Sequence, residues 1–360
     1  MITRLEACRY RCLKEVRQTL LPCQVLVGPN GSGKSAFLDV IGFLGDVVSG
    51  GLREAIASRT DNFYDLVWGR SDRSFSLALE ARQNAASEIV RYEAEFRIVA
   101  DDSRVEIAQE RVMVPRDGWI PLKFAPDAGY SGLTLPFAQL AAGRENSQWL
   151  TWLRDLLRGK VQTVVLDNEL LRGSTPPGRG NESVYNGFHL APRAGQLRES
   201  SPDSFRAWLD HVQTAIPDLA DIRMIVRPED RHRYLMLRYA GGVEVPHWMV
   251  SDGTLRLLAL TILGYIPDFN GIYLVEEAEI GLHPTAIETV WQSLSSVYGG
   301  QVLITSHSPL LPGLAKPEQL LCFQRQEDGT AIISGADHPL LKDWQSGVNL
   351  SDLFAAGVLG

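Results

Sequence analysis

The run GPNGSGKS, Gly28 to Ser35, has the residue types and spacing of a phosphate-binding loop, G-x-x-x-x-G-K-[ST]. Gly28, Gly31 and Gly33, with Ser32 between the last two, let successive backbone N–H groups turn inward around a polyphosphate. A helix starting at Lys34 brings its positive dipole end to the same point. Lys34 would reach the β and γ phosphates, and Ser35 offers a hydroxyl to Mg2+. A ligand-free Gly-rich turn is the plain alternative, but the apolar run before the loop and the helical spacing after it supply the context the motif requires.

Two later runs carry complementary chemistry. IYLVEE at 272–277 reads as a buried strand ending in two carboxylates. Such a pair can hold a Mg2+ shell (Glu276) and polarise an attacking water (Glu277). QVLITSHS at 301–308 is a second apolar strand, ending in His307, which can hydrogen-bond a γ-phosphate or that water. Taken singly, paired Glu residues are usually a solvated strand end and a lone His is usually structural. Together they occupy the carboxyl ends of consecutive buried strands, where open α/β sheets place ligands. Ahead of them, VSDGTLRLLAL at 250–260 places Ser251, Asp252 and Gly253 at the start of a helix, where Ser251 is at least an N-cap.

The elements positioning these groups follow from periodicity. ITRLEAC at 2–8 and CQVLVG at 23–28 read as strands, and AFLDVIGFL at 36–44 as a helix, giving strand, turn, strand, loop, helix. FSLALEA, IVRYEAEFRIV and RVEIAQERVMV, between 73 and 115, alternate as antiparallel strands. SQWLTWLRDLL (147–157) and PDSFRAWLDHVQTAI (202–216) are helical, and VQTVVLD (161–167) is a buried strand. DIRMIVRP and RYLMLRY pair as a hairpin within 221–239. From 250 onward helices and buried strands alternate, as a parallel sheet requires.

The chain has 360 residues, 45% hydrophobic and 22% charged, ordinary globular values, and its length fits either one large α/β domain with an insertion or two separate units. Its longest apolar run, LRLLALTILGYI at 255–266, includes Arg256 and is shorter than the ~20 residues needed to span a bilayer. The N-terminal MITRLEACRYR has no secretory h-region, so a cytoplasmic location without membrane association is expected. Four cysteines form no disulfide framework and read as buried thiols rather than a zinc site. The net charge of -8 argues against nucleic-acid binding over the whole surface but leaves a local basic groove open.

In order, the phosphate loop, S-D-G-T opening a helix, strand E-E and strand S-H-S resemble the ABC-type ATPase head. Within that class the chain resembles the branch shared by the RecF, SMC and overcoming-lysogenization-defect (OLD) ATPases. This likeness rests on ITRLEACRYRCLKEV, EEAEIGLHP at 276–284, LLRGSTPP at 170–177, DGTLRLLAL, TSHSPLL at 305–311, HPLLKDW and SDLFAAGVLG. The fold it implies is an α/β P-loop NTPase head with a parallel-sheet core, an antiparallel β-subdomain and a helical insertion. As one head over 1–360, its core would come from 1–50 and 250–325, the β-subdomain from 73–125 and the helical/β insertion from 134–245.

The resemblance also implies roles. ATP and Mg2+ would be the ligands. Arg11 would lie near the α-phosphate or adenine, Asn30 near the γ-phosphate, and Glu279 to His283 in a loop crossing a dimer interface. Ser251 and Gly253 would act in trans across a head-to-tail homodimer with ATP at its interface. Three positions depart from the pattern: Glu276 replaces the usual Asp, Ala278 replaces Pro, and the Q-loop glutamine is either Gln109 or Gln139. The chain after His307 is too short for the Toprim nuclease domain of OLD proteins, so nuclease activity would come from a partner. The expected function is an Mg2+-dependent ATPase that regulates an effector, a nuclease or toxin, in prokaryotic defence against phage or mobile elements. The alternative is a RecF-like ATPase that clamps DNA through a groove containing Arg223, Arg227, Arg231, Arg233 and Arg238; a solvated hairpin face is the ordinary reading of those arginines.

Overall fold

Apolar alternation at the start of the chain builds β1 (Ile2–Tyr10), which bends at Arg11 and Cys12 into β2 (Leu13–Thr19) before β3 (Cys23–Val27). The opening therefore has three strands rather than the two expected. Segment LKEVRQT buries only Leu13 and Val16, so its sequence hides a strand whose other side chains face water. The computed structural model describes residues 1–83, 87–99, 104–114, 118–121, 144–178, 184–187, 189–327, 329–339 and 341. Among the described residues two compact units emerge, one built from 1–161 and 317–341, the other from 162–316.

In the first unit, β4 (Ser74–Ala81), β5 (Val90–Ile98) and β6 (Val105–Val114) form the expected antiparallel strands. They are continuous with the opening hairpin: the six-stranded order is β2-β1-β4-β5-β6-β7, with β7 at Gly118–Pro121. Helix α1 (Lys34–Gly50) buries Phe37, Val40, Ile41, Phe43, Leu44, Val47 and Val48, the helical repeat of one broad apolar face. Phe43 packs on Tyr10, Phe75 and Phe96 with ring centroids 5.8, 5.6 and 5.1 Å away. This aromatic layer fixes the helix whose first residue is Lys34. β3 pairs in parallel with β15 (Leu320–Gln326), which turns back antiparallel into β16 (Gly329–Ser334).

In the second unit, β13 (Ile272–Val275) and β14 (Gln301–Thr305) are buried along their whole length and pair in parallel. Their near-continuous apolar sequence is what burial on both faces demands. Two further helices, Pro202–Gln213 and Pro284–Ser295, start with proline, which lacks only an N–H that a first turn leaves unpaired. The hairpin of β10 (Leu219–Val226) and β11 (Arg233–Tyr239) forms in the expected register region and gains a short third strand, β12 (Glu244–Pro246). Among the described residues no helix is long and apolar enough to cross a membrane.

Candidate active site

The loop after β3 has the backbone of a phosphate cradle. Gly28, Gly31 and Gly33 take φ values of 145°, 73° and 104°, which suit glycine. Space adds a second constraint at two of them. A Cβ on Gly28 would stand 2.3 Å from the Phe323 carbonyl oxygen, and one on Gly33 would stand 2.7 Å from Thr330 Oγ1. A Cβ on Gly31 would meet nothing within 4 Å, and Asn30, Gly31 and Ser35 are exposed, so this side of the loop is open to a ligand.

Lys34 is buried, and its Nζ donates to the carbonyls of Gly28 (2.6 Å) and Pro29 (3.0 Å). Ser32 is also buried and its Oγ has no hydrogen-bond partner. A buried hydroxyl left unpaired is costly, and an arriving acceptor or donor satisfies it. These residues fit a nucleotide polyphosphate. Arg11 lies beside the same helix: its NH2 is 3.3 Å from Asp39 Oδ2, and its backbone N–H donates to Leu66. Asp39 also accepts from Tyr10 Oη at 2.6 Å and from Arg59 Nε at 2.7 Å. Burial, with the Asp39 carboxylate next to it, pushes the Tyr10 phenol well above its usual range, so it stays a donor. The sequence had not singled out Asp39 as the anchor of Arg11.

In the second unit, Glu276 and Glu277 leave the end of β13 half-buried. Glu277 has a left-handed backbone, φ 50°, rare for a side chain without a special reason and worth of order 1–3 kcal/mol in strain. The surroundings enforce it: the Glu277 N–H donates to both the carbonyl oxygen and Oγ1 of Thr305, each at 3.1 Å. The bend turns the carboxylate toward His307, whose Nε2 is 3.5 Å from Glu277 Oε1. Both side chains are open to solvent and so to water or a ligand.

Glu279, assigned above only to a loop, organises that turn. Its Oε1 accepts from Ser306 Oγ at 3.0 Å, the His307 N–H at 2.6 Å and the Ser308 N–H at 2.9 Å. Only the donor count after β14 hints at such an acceptor, and nothing in the sequence says which carboxylate supplies it. Glu279→Ala would remove the acceptor of the His307 N–H and one of the two partners of Ser306 Oγ and of the Ser308 N–H, at roughly 0.5–1.5 kcal/mol for each hydrogen bond lost. The expected result is a lower melting temperature together with slower turnover of MgATP, whereas Glu279→Gln, which keeps an acceptor oxygen, should lose less of both.

Ser251 is the N-cap of α7 (Asp252–Thr261), its Oγ accepting from the Thr254 N–H at 3.1 Å. Gly253 lies so near the loop after Glu277 that a Cβ there would stand 2.8 Å from the Gly281 carbonyl oxygen. Gln109 is exposed on β6, paired with Glu95; Gln139 lies outside the described residues. Of the five hairpin arginines, Arg223 pairs with Glu244, Arg227 with Asp230 and Arg238 with Asp221. The face is thus a mixture of charges rather than a bare basic groove. Of the four cysteines only Cys322 is buried; the other three are half-buried.

Residues 24–311 match the family described as "AAA domain, putative AbiEii toxin, Type IV TA system". The chain belongs to this family. No curated protein sequence matches it. In fold it is similar to the "SmcHead bound to the C-winged helix domain of ScpA", at 17% identity and TM-score 0.62, covering 92% of this chain and 97% of that one. The SMC head domain from Thermotoga maritima follows at 13% and 0.53, covering 92% and 98%. The Smc head domain with an extended coiled coil, bound to the C-terminal domain of ScpA derived from Pyrococcus furiosus, gives 14% and 0.59, covering 96% and 99%. The family member described here thus has an ABC-type AAA ATPase head, the fold class its motifs imply.

Proposed function

We propose that the protein is an Mg2+-dependent ATPase whose head-to-tail homodimer closes around ATP and gates an effector, a nuclease or toxin, in prokaryotic defence. The observation that carries the hydrolytic part is Glu277, held in a strained conformation with His307 at 3.5 Å. The phosphate cradle, with its unpaired Ser32 hydroxyl and buried Lys34 ammonium, supports the nucleotide part. The family description, which couples the AAA domain to a toxin of a Type IV TA system, supports the defence setting. The mixed charge of the arginine hairpin speaks against direct clamping of DNA.

In this reading Lys34 exchanges the Gly28 and Pro29 carbonyls for phosphate oxygens, and the loop N–H groups hold the remaining charge. Ser35 and Glu276 would hold Mg2+, which when bound neutralises charge on the transferred phosphoryl group. Glu277 accepts a proton from the attacking water, and His307 hydrogen-bonds the same water or the γ-phosphate. Ser251 and the N–H groups at the start of α7 complete the site of the second copy, as helix N-termini favour anions.

Mixing two inactive variants tests the shared site. Lys34→Ala and Ser251→Ala each spoil both sites of a homodimer, but one site of the mixed dimer contains neither change. Turnover should reappear on mixing, approaching about a quarter of the wild-type rate when half of the dimers are mixed and each site works alone. No recovery in a mixture shown to exchange subunits would overturn action in trans.

A further inference from the structure

The start of α7 is tied to the end of β13 by a segment that the proposed mechanism leaves without a role. β8 (Val161–Val164) ends where the Val164 carbonyl accepts from the Glu276 N–H at 3.1 Å. The chain then runs into a one-turn helix, α4 (Asn168–Arg172), capped by Asp167, whose Oδ1 accepts from the Glu169 and Leu170 N–H groups. From its last residue, the Arg172 guanidinium spreads over the beginning of α7. Nε donates to Asp252 Oδ1 at 2.9 Å, NH2 to the same oxygen, and NH1 to the Trp248 carbonyl. Asn168 Nδ2 donates to the other Asp252 oxygen at 3.2 Å.

A second arginine crosses in the opposite direction. Arg256, buried on α7, donates from NH1 to Asn168 Oδ1 at 2.9 Å and to the Leu166 carbonyl at 3.3 Å. Its stem passes the loop after Glu277, where a Cβ on Gly281 would be 3.4 Å from Arg256 Cδ. Burial lowers the pKa of this guanidinium while Asp252 and Glu277 oppose the shift. An isolated ion pair with partners as exposed as Arg172 and Asp252 stabilises little, but three donors of one planar fork fix direction as well as distance.

We infer that residues 164–172 are a rigid link between the Glu276–Glu277 strand end and the Ser251–Gly253 turn, with Arg172 as the positioning residue that locks it to Asp252. The link makes the state of the carboxylates felt at the face offered to the second copy, so it governs when the composite site assembles. The inference rests on the active-site reading proposed above. It requires a coupling element with defined contacts at both ends, which Val164 with Glu276 and Arg172 with Asp252 supply.

Hydrogen exchange on the full chain, wild type and Arg172→Ala, tests the link without relying on turnover. Amides of 251–256 and of 273–280 should exchange faster together in the variant, those of 28–35 should not change, and Arg172→Lys should restore only part of the protection, since an ammonium lacks the fork. Loosening confined to 168–172 and 252 would overturn the link. Steady-state MgATP kinetics supplies the second arm: kcat should drop by about 2–30-fold, the usual reach of a mutation along a coupling network, with KM nearly constant. An unchanged kcat in a variant that loosens at 251–256 would also overturn it. A wild-type protein that hydrolyses no ATP would instead sink the active-site reading, and the exchange result would still decide the link.

Discussion

Glu277→Gln lowers the MgATP turnover number by about 10²–10⁴-fold, the usual worth of a positioned general base, while nucleotide binding persists. Glutamine keeps the volume and one acceptor oxygen but has lost the basicity that takes a proton from water. The backbone that aims the side chain is unaffected, because the two contacts from the residue 277 N–H to Thr305 do not involve the carboxylate. A loss confined to kcat identifies an interaction made in the transition state rather than in ground-state binding. Steady-state turnover paired with a MgATP titration reads both quantities. Wild-type turnover in the variant would remove Glu277 from the mechanism and leave its strained φ of 50° without a catalytic explanation.

Lys34→Ala acts on the other half of the chemistry and should show the opposite signature. The ammonium is buried and hydrogen-bonded to two loop carbonyls, so it is already oriented, by the same loop that would wrap the phosphates. A hydrogen bond to a charged partner contributes about 1.5–3 kcal/mol, and 1.4 kcal/mol is tenfold in affinity. MgATP binding should therefore weaken by about 10–150-fold, measured by calorimetric titration. Removing the ammonium also leaves the Gly28 and Pro29 carbonyls without that donor. Lys34→Arg, which keeps the charge, and the melting temperature of both variants separate a lost ligand contact from a collapsed loop. Unweakened binding in a folded Lys34→Ala protein would contradict the assignment of the cradle.

Local signals made much of the molecule legible. Positive-φ glycines at fixed spacing, fully apolar strands and proline-started helices are properties of short windows, and the phosphate loop, β13, β14 and the Pro202 and Pro284 helices appear where those signals stand. What remained hidden depends on partners distant in sequence. Segment Leu13–Thr19 carries too few apolar residues to read as a strand, yet it pairs along β1 because β1 needs a partner on that side. Strands β4 to β6 read as an inserted or flanking antiparallel sheet, and only the pairing of β4 with β1, distant in sequence, joins them to the opening strands. Glu279 satisfies three donors at residues 306–308, and Asp252 is held by Arg172 from far upstream; no window contains both ends of either contact. In the arginine hairpin, Arg223, Arg227 and Arg238 pair with Glu244, Asp230 and Asp221, in keeping with the ordinary reading of a solvated face.

The central claim is that ATP binding assembles two copies of the head around shared sites. Light scattering coupled to size-exclusion chromatography of Glu277→Gln, with and without MgATP, tests it most directly, because the variant binds nucleotide without consuming it. The mass should rise from that of the 39.9 kDa chain, or of a looser equilibrium, to a stable value of twice 39.9 kDa when MgATP is present. It should not rise in a variant that also carries Ser251→Arg, which places a bulky charge on the face offered to the partner. A mass that stays the same with and without MgATP, in protein shown by titration to have bound it, would contradict the account.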